Sequence, residues 1–327
     1  MKIISPNLKF FLAGFIFSLP FFWGANLGQK NLEDFLFWKG MAANPQLLTA
    51  QMVQDENFEK MKPIRNLQVE NLEIQARGAI SVFIDSSGSQ RIIFDKESDE
   101  ILPIASLTKL MTANVVLDNL DLSQIIRITK KAVDEEGAWG NFKAGEIFPV
   151  KSLLYSLLME SSNDAAIALA ETTGESALID LMNLTAANLG LKNTHFVNLT
   201  GLDPDKPEGS INYSTAENLA KLTAYLSKAK PLILEITGTR EFFLYSPNGV
   251  FHHQIENTNE LLKESASWRT AIIGGKTGWT PESQGCLIII MKSPENPGKI
   301  INVILGSPDR FGEMKKLIDW LNSAYKW

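Results

Sequence analysis

Ser106 and Lys109 stand three residues apart, Ser161 and Asn163 two apart, and Lys276, Thr277 and Gly278 follow in direct succession further along the chain. Hydroxyls, amines and an amide in this order are the side chains that an acyl-transfer site needs. A serine hydroxyl is a weak nucleophile at neutral pH, so a base must take its proton as it attacks a carbonyl carbon. Lysine can be that base only when neutral, and burial and a neighbouring cation both disfavour the ammonium. Lys276 would be the neighbouring cation for Lys109. Ser161 would relay the proton, the Asn163 amide would hold a substrate backbone, and Lys276 with Thr277 would suit a substrate carboxylate.

Each triplet alone carries little. Ser-x-x-Lys also occurs at Ser227/Lys230 and Ser323/Lys326, and Ser-x-Asn begins again at Ser5, Ser210 and Ser246. The elements around each copy discriminate. Pro103 breaks any preceding element, and Leu107, Leu110, Met111 and Val115 follow at helical spacing, which predicts a helix with Ser106 in its first turn. There Ser106 and Lys109 share a face, and the free N–H groups of a helix start can stabilise an oxyanion. Ser227 and Ser323 instead read as surface residues at helix ends.

Val150, Leu153, Leu154, Leu157 and Leu158 predict a second helix with Pro149 in its first turn. A further apolar run starts at Ala165 with Asp164 as its N-cap. Ser161 to Asn163 are therefore expected in a short connection, which can present side chains into a cleft. The alternative for Ser-Ser-Asn-Asp is ordinary capping. Thr270 to Ile273 runs into Gly274-Gly275-Lys276-Thr277-Gly278, and with Cys286 to Met291 this predicts an antiparallel hairpin. Glycine on such a strand lets a substrate backbone approach its edge.

With these residues in place, the sequence resembles the penicillin-binding D-alanyl-D-alanine carboxypeptidases of low molecular mass, which share this motif set with serine β-lactamases. Pro103-Ile-Ala-Ser-Leu-Thr-Lys-Leu-Met-Thr112, Glu160-Ser-Ser-Asn-Asp-Ala-Ala166, Asn212-Tyr-Ser-Thr-Ala216, Asn257-Thr-Asn-Glu-Leu-Leu262 and Gly275-Lys-Thr-Gly-Trp-Thr280 carry the resemblance, which runs from about Gln75 onward. It implies that Ser106 is acylated and that Lys109 is the general base. Ser161 and Asn163 would complete the proton path and substrate contact. Lys276 and Thr277 would hold the terminal carboxylate, with Gly278 beside them, and the backbone N–H groups of Ser106 and Trp279 would form the oxyanion hole. The implied activity is removal of the terminal D-alanine from peptidoglycan pentapeptides, with β-lactam antibiotics as covalent inhibitors. Endopeptidase cleavage of cross-links by the same residues is the alternative. Two further readings are a non-catalytic wall-binding protein, which would be free to lose Ser106 or Lys109, and a β-lactamase. Glu208 and Asn212 mimic the Glu-x-x-x-Asn spacing of one β-lactamase class, but Asn212 belongs to Asn-Tyr-Ser-Thr-Ala.

Element order points to α+β segregation. Strands at Gly78 to Ile84 and Arg91 to Asp95 precede helices from Ser106 to Lys228, where Ser214-Thr-Ala-Glu217 reads as a capping box. Strands return at Glu241 to Tyr245 and Val250 to Gln254, and a helix is expected over about Asp309 to Tyr325. The resemblance implies a serine β-lactamase/transpeptidase-like fold, an antiparallel sheet flanked by helices with a helical lobe. The catalytic domain is expected over 75–327. Family members often carry a second, β-rich domain and a C-terminal amphipathic anchor. Here only a strand pair and one helix follow the Lys-Thr-Gly strand.

Residues 29–74 are expected to be a linker or stalk, and 1–28 a signal or membrane anchor that makes the protein extracytoplasmic. Lys2 and Lys9 precede an apolar stretch from Phe10 to Ala25. At about 1.5 Å per residue this is short of a span of about 30 Å, which favours a cleaved signal. The lack of a prompt small-x-small site, with Phe22, Trp23 and Asn26 in its place, favours an uncleaved anchor. Membrane fractionation of a protein that retains its first residues supports the anchor; a soluble protein starting after about residue 25 rules it out.

The remaining composition narrows the field. The net charge of -6, from 31 basic and 37 acidic residues without a basic cluster, argues against nucleic-acid binding. Cys286 stands alone in an apolar run and reads as a core thiol. His195 lies apart, and His252 and His253, adjacent in a predicted strand, are expected on opposite faces, which argues against a metal site. No cofactor is expected.

Overall fold

The computed structural model describes residues 63–137, 140–204, 209–264, 271–295 and 297–327. The segment 1–28, the expected stalk as far as residue 62, and Glu208 lie outside them. A compact unit begins at Ile64. Strand β1 (Ile64–Arg65) pairs with β13 (Tyr325–Lys326), and the Arg65 guanidinium lies 4.9 Å from the Trp320 ring, so residues just after Pro63 already pack on this unit.

The central sheet is built from β2 (Gly78–Asp85), β3 (Gln90–Lys96), β10 (Ile272–Thr280), β11 (Gln284–Lys292) and β12 (Gly298–Ser307), in the order β10-β11-β12-β2-β3. Every neighbouring pair is antiparallel. Alternation assigns the two faces. Ile80 and Val82 of β2, Cys286, Ile288 and Ile290 of β11, and Ile301, Val303 and Leu305 of β12 join one apolar core with the helices. Phe83, Leu287, Ile289, Met291, Ile300 and Ile304 face the other way and pack with Met314, Leu317, Ile318 and Leu321 of the last helix. Both faces of the central strands are buried, which is why they read as continuous apolar runs rather than alternating ones.

Between β3 and β10 lies the helical lobe. Strand β4 (Leu102–Pro103) leads through a 3₁₀ turn, Ala105–Leu107, into helix α1 (Thr108–Asn119). Strands β5 (Ile125–Arg127) and β6 (Ile147–Pro149) pair around α2 (Lys130–Val133). Helix α3 (Val150–Tyr155) continues into a π turn, Ser156–Glu160. Helices α4 (Asn163–Glu171) and α5 (Glu175–Asn188) follow, then β7 (Tyr213–Ser214), α6 (Ala216–Ala229) and α7 (Pro231–Gly238). Strands β8 (Glu241–Tyr245) and β9 (Phe251–Glu256) form a separate hairpin. Helix α8 (Arg310–Ala324) closes the sheet side. Among the described residues no helix is long and apolar enough to cross a membrane.

Several local expectations are corrected. Pro103 is itself the last residue of β4, paired with Tyr213 as Leu102 is with Ser214. Ser214 is thereby engaged in β7, so the N-cap of α6 is Thr215, whose hydroxyl accepts from Asn218 N. Ser162, not Asp164, caps α4, accepting from Ala165 N; Asn163 therefore opens the helix instead of lying in the connection. Pro149 is the N-cap of α3 rather than a helical residue, and Pro231 begins a helix that the sequence reading lacked.

Candidate active site

The turn that presents Ser106 is strained. Ala105 has φ 45°, in the left-handed region that a non-glycine residue adopts only where its surroundings enforce it. A Cβ on Gly201 (φ 82°) would come within 2.0 Å of the Ala105 carbonyl oxygen. On the other side, a Cβ on Gly278 would lie 3.2 Å from Ser106 N and 3.0 Å from Ile104 O. These two glycines let the loop at 198–202 and strand β10 close on the nucleophile. The backbone of the Lys-Thr-Gly strand thus runs beside the Ser106 amide.

Lys109, the second residue of α1, is fully buried, and its Nζ lies 2.8 Å from Ser106 Oγ. The same Nζ donates to the Thr200 carbonyl at 2.7 Å. Burial is the main reason that its pKa falls well below the ordinary lysine value; the positive charge of Lys276 lowers it further, against opposing pulls from Glu135 and Asp164.

Ser161 comes from the other side of the cleft. The π turn adds a residue to the end of the α3 helix, and Ser161 then adopts φ 66°, a left-handed C-cap. Its Oγ accepts from Lys276 Nζ at 2.9 Å. Lys276 lies on β10, opposite Ile288 of β11, and also donates to the Thr277 carbonyl at 3.0 Å. It too is buried, and burial, reinforced by Arg310, lowers its pKa to about 7. Two buried ammonium groups this close without a carboxylate bonded to either are costly.

Thr277 Oγ1 shares a hydrogen bond of 2.6 Å with Thr258 Oγ1. Trp279, the next residue of β10 after Gly278, is 58% exposed. Asn163 is nearly buried; its Nδ2 donates to Glu136 O at 2.6 Å, whereas its Oδ1 has no hydrogen-bond partner among the described residues. Of the two amide atoms, the buried oxygen is therefore the one left with its hydrogen-bonding capacity unused.

Residues 65–309 match the profile of the D-alanyl-D-alanine carboxypeptidase family. The chain belongs to this family. A D-alanyl-D-alanine carboxypeptidase of Bacillus subtilis is 32% identical over 262 residues, 77% of this chain and 63% of that protein, so the chain spans less than two thirds of that relative's length. A D-alanyl-D-alanine endopeptidase of Pseudomonas aeruginosa is 31% identical over 251 residues, 75% of this chain and 77% of that protein. Among solved structures, penicillin-binding protein D2 of Listeria monocytogenes in its ampicillin-bound form superposes with a TM-score of 0.65 at 27% identity, covering 76% of this chain and 98% of that one. The expected transpeptidase-like α+β fold is therefore the observed one.

In this carboxypeptidase-family chain the sequence reading missed several parts of the site. Thr200 acts through its main chain, so its side chain gave no signal. Its loop is held by Asn198 Oδ1, which accepts from Thr200 N at 3.2 Å and Gly201 N at 2.7 Å. Asn212 in turn bonds Asn198, Val197 N and Thr108 Oγ1. This inward use of Asn212, 1% exposed, agrees with its place in Asn-Tyr-Ser-Thr-Ala rather than in a β-lactamase pair. Arg310 at the start of α8 donates to Gly278 O at 3.3 Å and lowers the Lys276 pKa across the sheet edge.

Proposed function

We propose that the protein is a serine-type D-Ala-D-Ala carboxypeptidase that releases the terminal D-alanine of peptidoglycan stem peptides through an acyl-enzyme. The observation that carries this reading is the 2.8 Å approach of a buried lysine, disfavoured as an ammonium, to the hydroxyl of a serine at a helix start. Neutral Lys109 takes the Ser106 proton as Oγ attacks the carbonyl carbon of the penultimate D-alanine. The backbone N–H groups of Ser106 and Trp279 receive the oxyanion, a role supported by the close passage of Gly278 past Ser106 N. Collapse of the tetrahedral adduct needs a proton on the departing D-alanine nitrogen, and Ser161 relays it from Lys109. Lys276 and Thr277 hold the terminal carboxylate, and the Asn163 amide oxygen accepts a substrate N–H. Water then attacks the ester and regenerates Ser106.

Peptidoglycan lies outside the cytoplasm, so this substrate agrees with the proposed extracytoplasmic placement and with residues 1–28 as signal or anchor. β-Lactams are the expected covalent inhibitors, in line with the ampicillin-bound relative. Similarity to an endopeptidase supports a second reading, cleavage of peptide cross-links by the same residues. Incubation with a pentapeptide and, separately, with a cross-linked dimer tests the choice. Free D-alanine from the pentapeptide with an intact dimer is the expected result; monomers from the dimer without D-alanine release would overturn the carboxypeptidase assignment in favour of the endopeptidase.

A further inference from the structure

Beside the site, β9 brings together two histidines that regular pleating would separate. The β8–β9 register shifts after Leu244: Leu244 faces His253, and Tyr245 faces Phe251. His252 is thus the extra residue of a bulge, and both imidazoles come to one side, correcting the expectation of opposite faces. Their Nδ1 atoms are 2.6 Å apart. His252 Nε2 lies 3.2 Å from Glu146 Oε2, and His253 Nε2 lies 3.2 Å from Glu160 Oε2. Phe142 stacks on His252 with ring centroids 5.6 Å apart, and Phe148 meets it edge-on at 5.3 Å. Glu160 also accepts from Ser156 Oγ at 2.5 Å; it is the last residue of the π turn and directly precedes Ser161.

This geometry sets a proton count. Two facing nitrogens at hydrogen-bond distance need one proton between them. The ring that accepts at Nδ1 carries its own proton on Nε2 and donates it to its glutamate. The ring that donates at Nδ1 can also donate to its glutamate only as an imidazolium. Two neutral rings would set a bare Nε2 lone pair against a carboxylate, and two imidazolium rings would set N–H against N–H. With both glutamates ionised, the arrangement is satisfied at one proton count, three N–H protons over four ring nitrogens.

We propose that Glu146, His252, His253 and Glu160 share a single proton beyond the neutral imidazoles, and that this chain is a positioning device that holds Glu160 and thereby sets Ser161 against Lys276. The proposal rests on the role given to Ser161 above. The other charged groups facing these four are Lys143, which lines the same cleft and whose N–H donates to Glu146 Oε2 at 2.8 Å, and Asp164, which senses the charge of Glu160. Neither donates a side-chain hydrogen bond to the imidazoles. Loss of the shared proton at high pH, or gain of a second at low pH, breaks the chain and frees Glu160.

Two readouts test it on the full-length protein. The chain has three histidines, so with ¹⁵N-labelled imidazoles His195 serves as the internal reference. NMR is expected to show His252 and His253 sharing three N–H protons in the protein that acylates. Two neutral rings titrating independently would overturn the proton chain, whether or not the protein is catalytic. Acylation by a fluorescent penicillin at saturation should hold while those three N–H protons are present and inflect where NMR shows their count change. Glu160→Gln, His253→Gln and His252→Gln should lose that inflection and acylate about 10-fold more slowly with unchanged half-saturation, a modest share of the about 10²-fold that a 1 Å misplacement can cost. His195→Gln should keep it. Wild-type rate and profile in the three cleft variants would overturn the positioning role. A wild type that does not react with penicillin counts against the catalytic reading, and the NMR result still decides the proton chain.

Discussion

Ser106→Ala is expected to abolish covalent attachment of a labelled penicillin. The strained lactam carbonyl is an acyl donor for the same hydroxyl that attacks the peptide, so intact-mass analysis of the wild type should show a single adduct. The variant removes the only atom proposed to form the ester. It leaves the fold intact, because Ser106 Oγ makes just a long 3.4 Å contact with Thr200 O and the 2.8 Å contact with Lys109. Unlike most substitutions near a site, this one predicts complete loss rather than a reduced rate. Persistent labelling of Ser106→Ala would sink the assignment of the nucleophile. Ser161, whose hydroxyl is bonded to Lys276, would then be the place to look, and the adduct-bearing peptide would show whether it is the one.

What the sequence shows of this site depends on whether a residue acts through its side chain or its backbone. Ser106, Lys109, Ser161 and Lys276 were legible because their side-chain types are the chemistry, and the structure gathers them around one cleft. Thr200 was not, since any residue has the carbonyl that Lys109 uses. The strain at Ala105 was equally hidden: it follows from the approach of Gly201 and Gly278, which lie far along the chain. The π turn left no mark either, because Leu157 and Leu158 continue the apolar period of α3 across the added residue. Cap positions slipped where several capping residues stand together. Ser161, Ser162, Asn163 and Asp164 are all competent, and only the left-handed conformation of Ser161 makes Ser162 the cap. Likewise Ser214 lost its capping role to the β4–β7 pairing, a contact between segments remote in sequence. The hairpins and the α+β order were legible throughout, since apolar runs bounded by glycine and proline are local signals.

Lys109→Arg is expected to fold and bind substrate yet acylate at least about 10²–10⁴-fold more slowly, the range typical of removing a general base. A guanidinium has a similar reach but stays protonated at any usable pH, so it cannot take the neutral form that Lys109 needs. Wild-type acylation should rise with pH as Lys109 loses its proton, and this limb begins well below the ordinary lysine range because burial first, and Lys276 second, disfavour the ammonium. Lys276 supplies the opposing limb. Its charge is present below about pH 7 and lost above it, so the KM for a peptide ending in a free carboxylate should rise with pH through that value, and kcat/KM should pass through a maximum. An amidated analogue lacks the carboxylate and should show little of this rise in KM. The two limbs separate the lysines, since Lys109→Arg should remove the rate limb while the KM limb of Lys276 remains in substrate binding. Near-normal penicillin acylation in Lys109→Arg would rule out Lys109 as the base and move that role to Ser161, whose Oγ is already bonded to a lysine poised near neutrality.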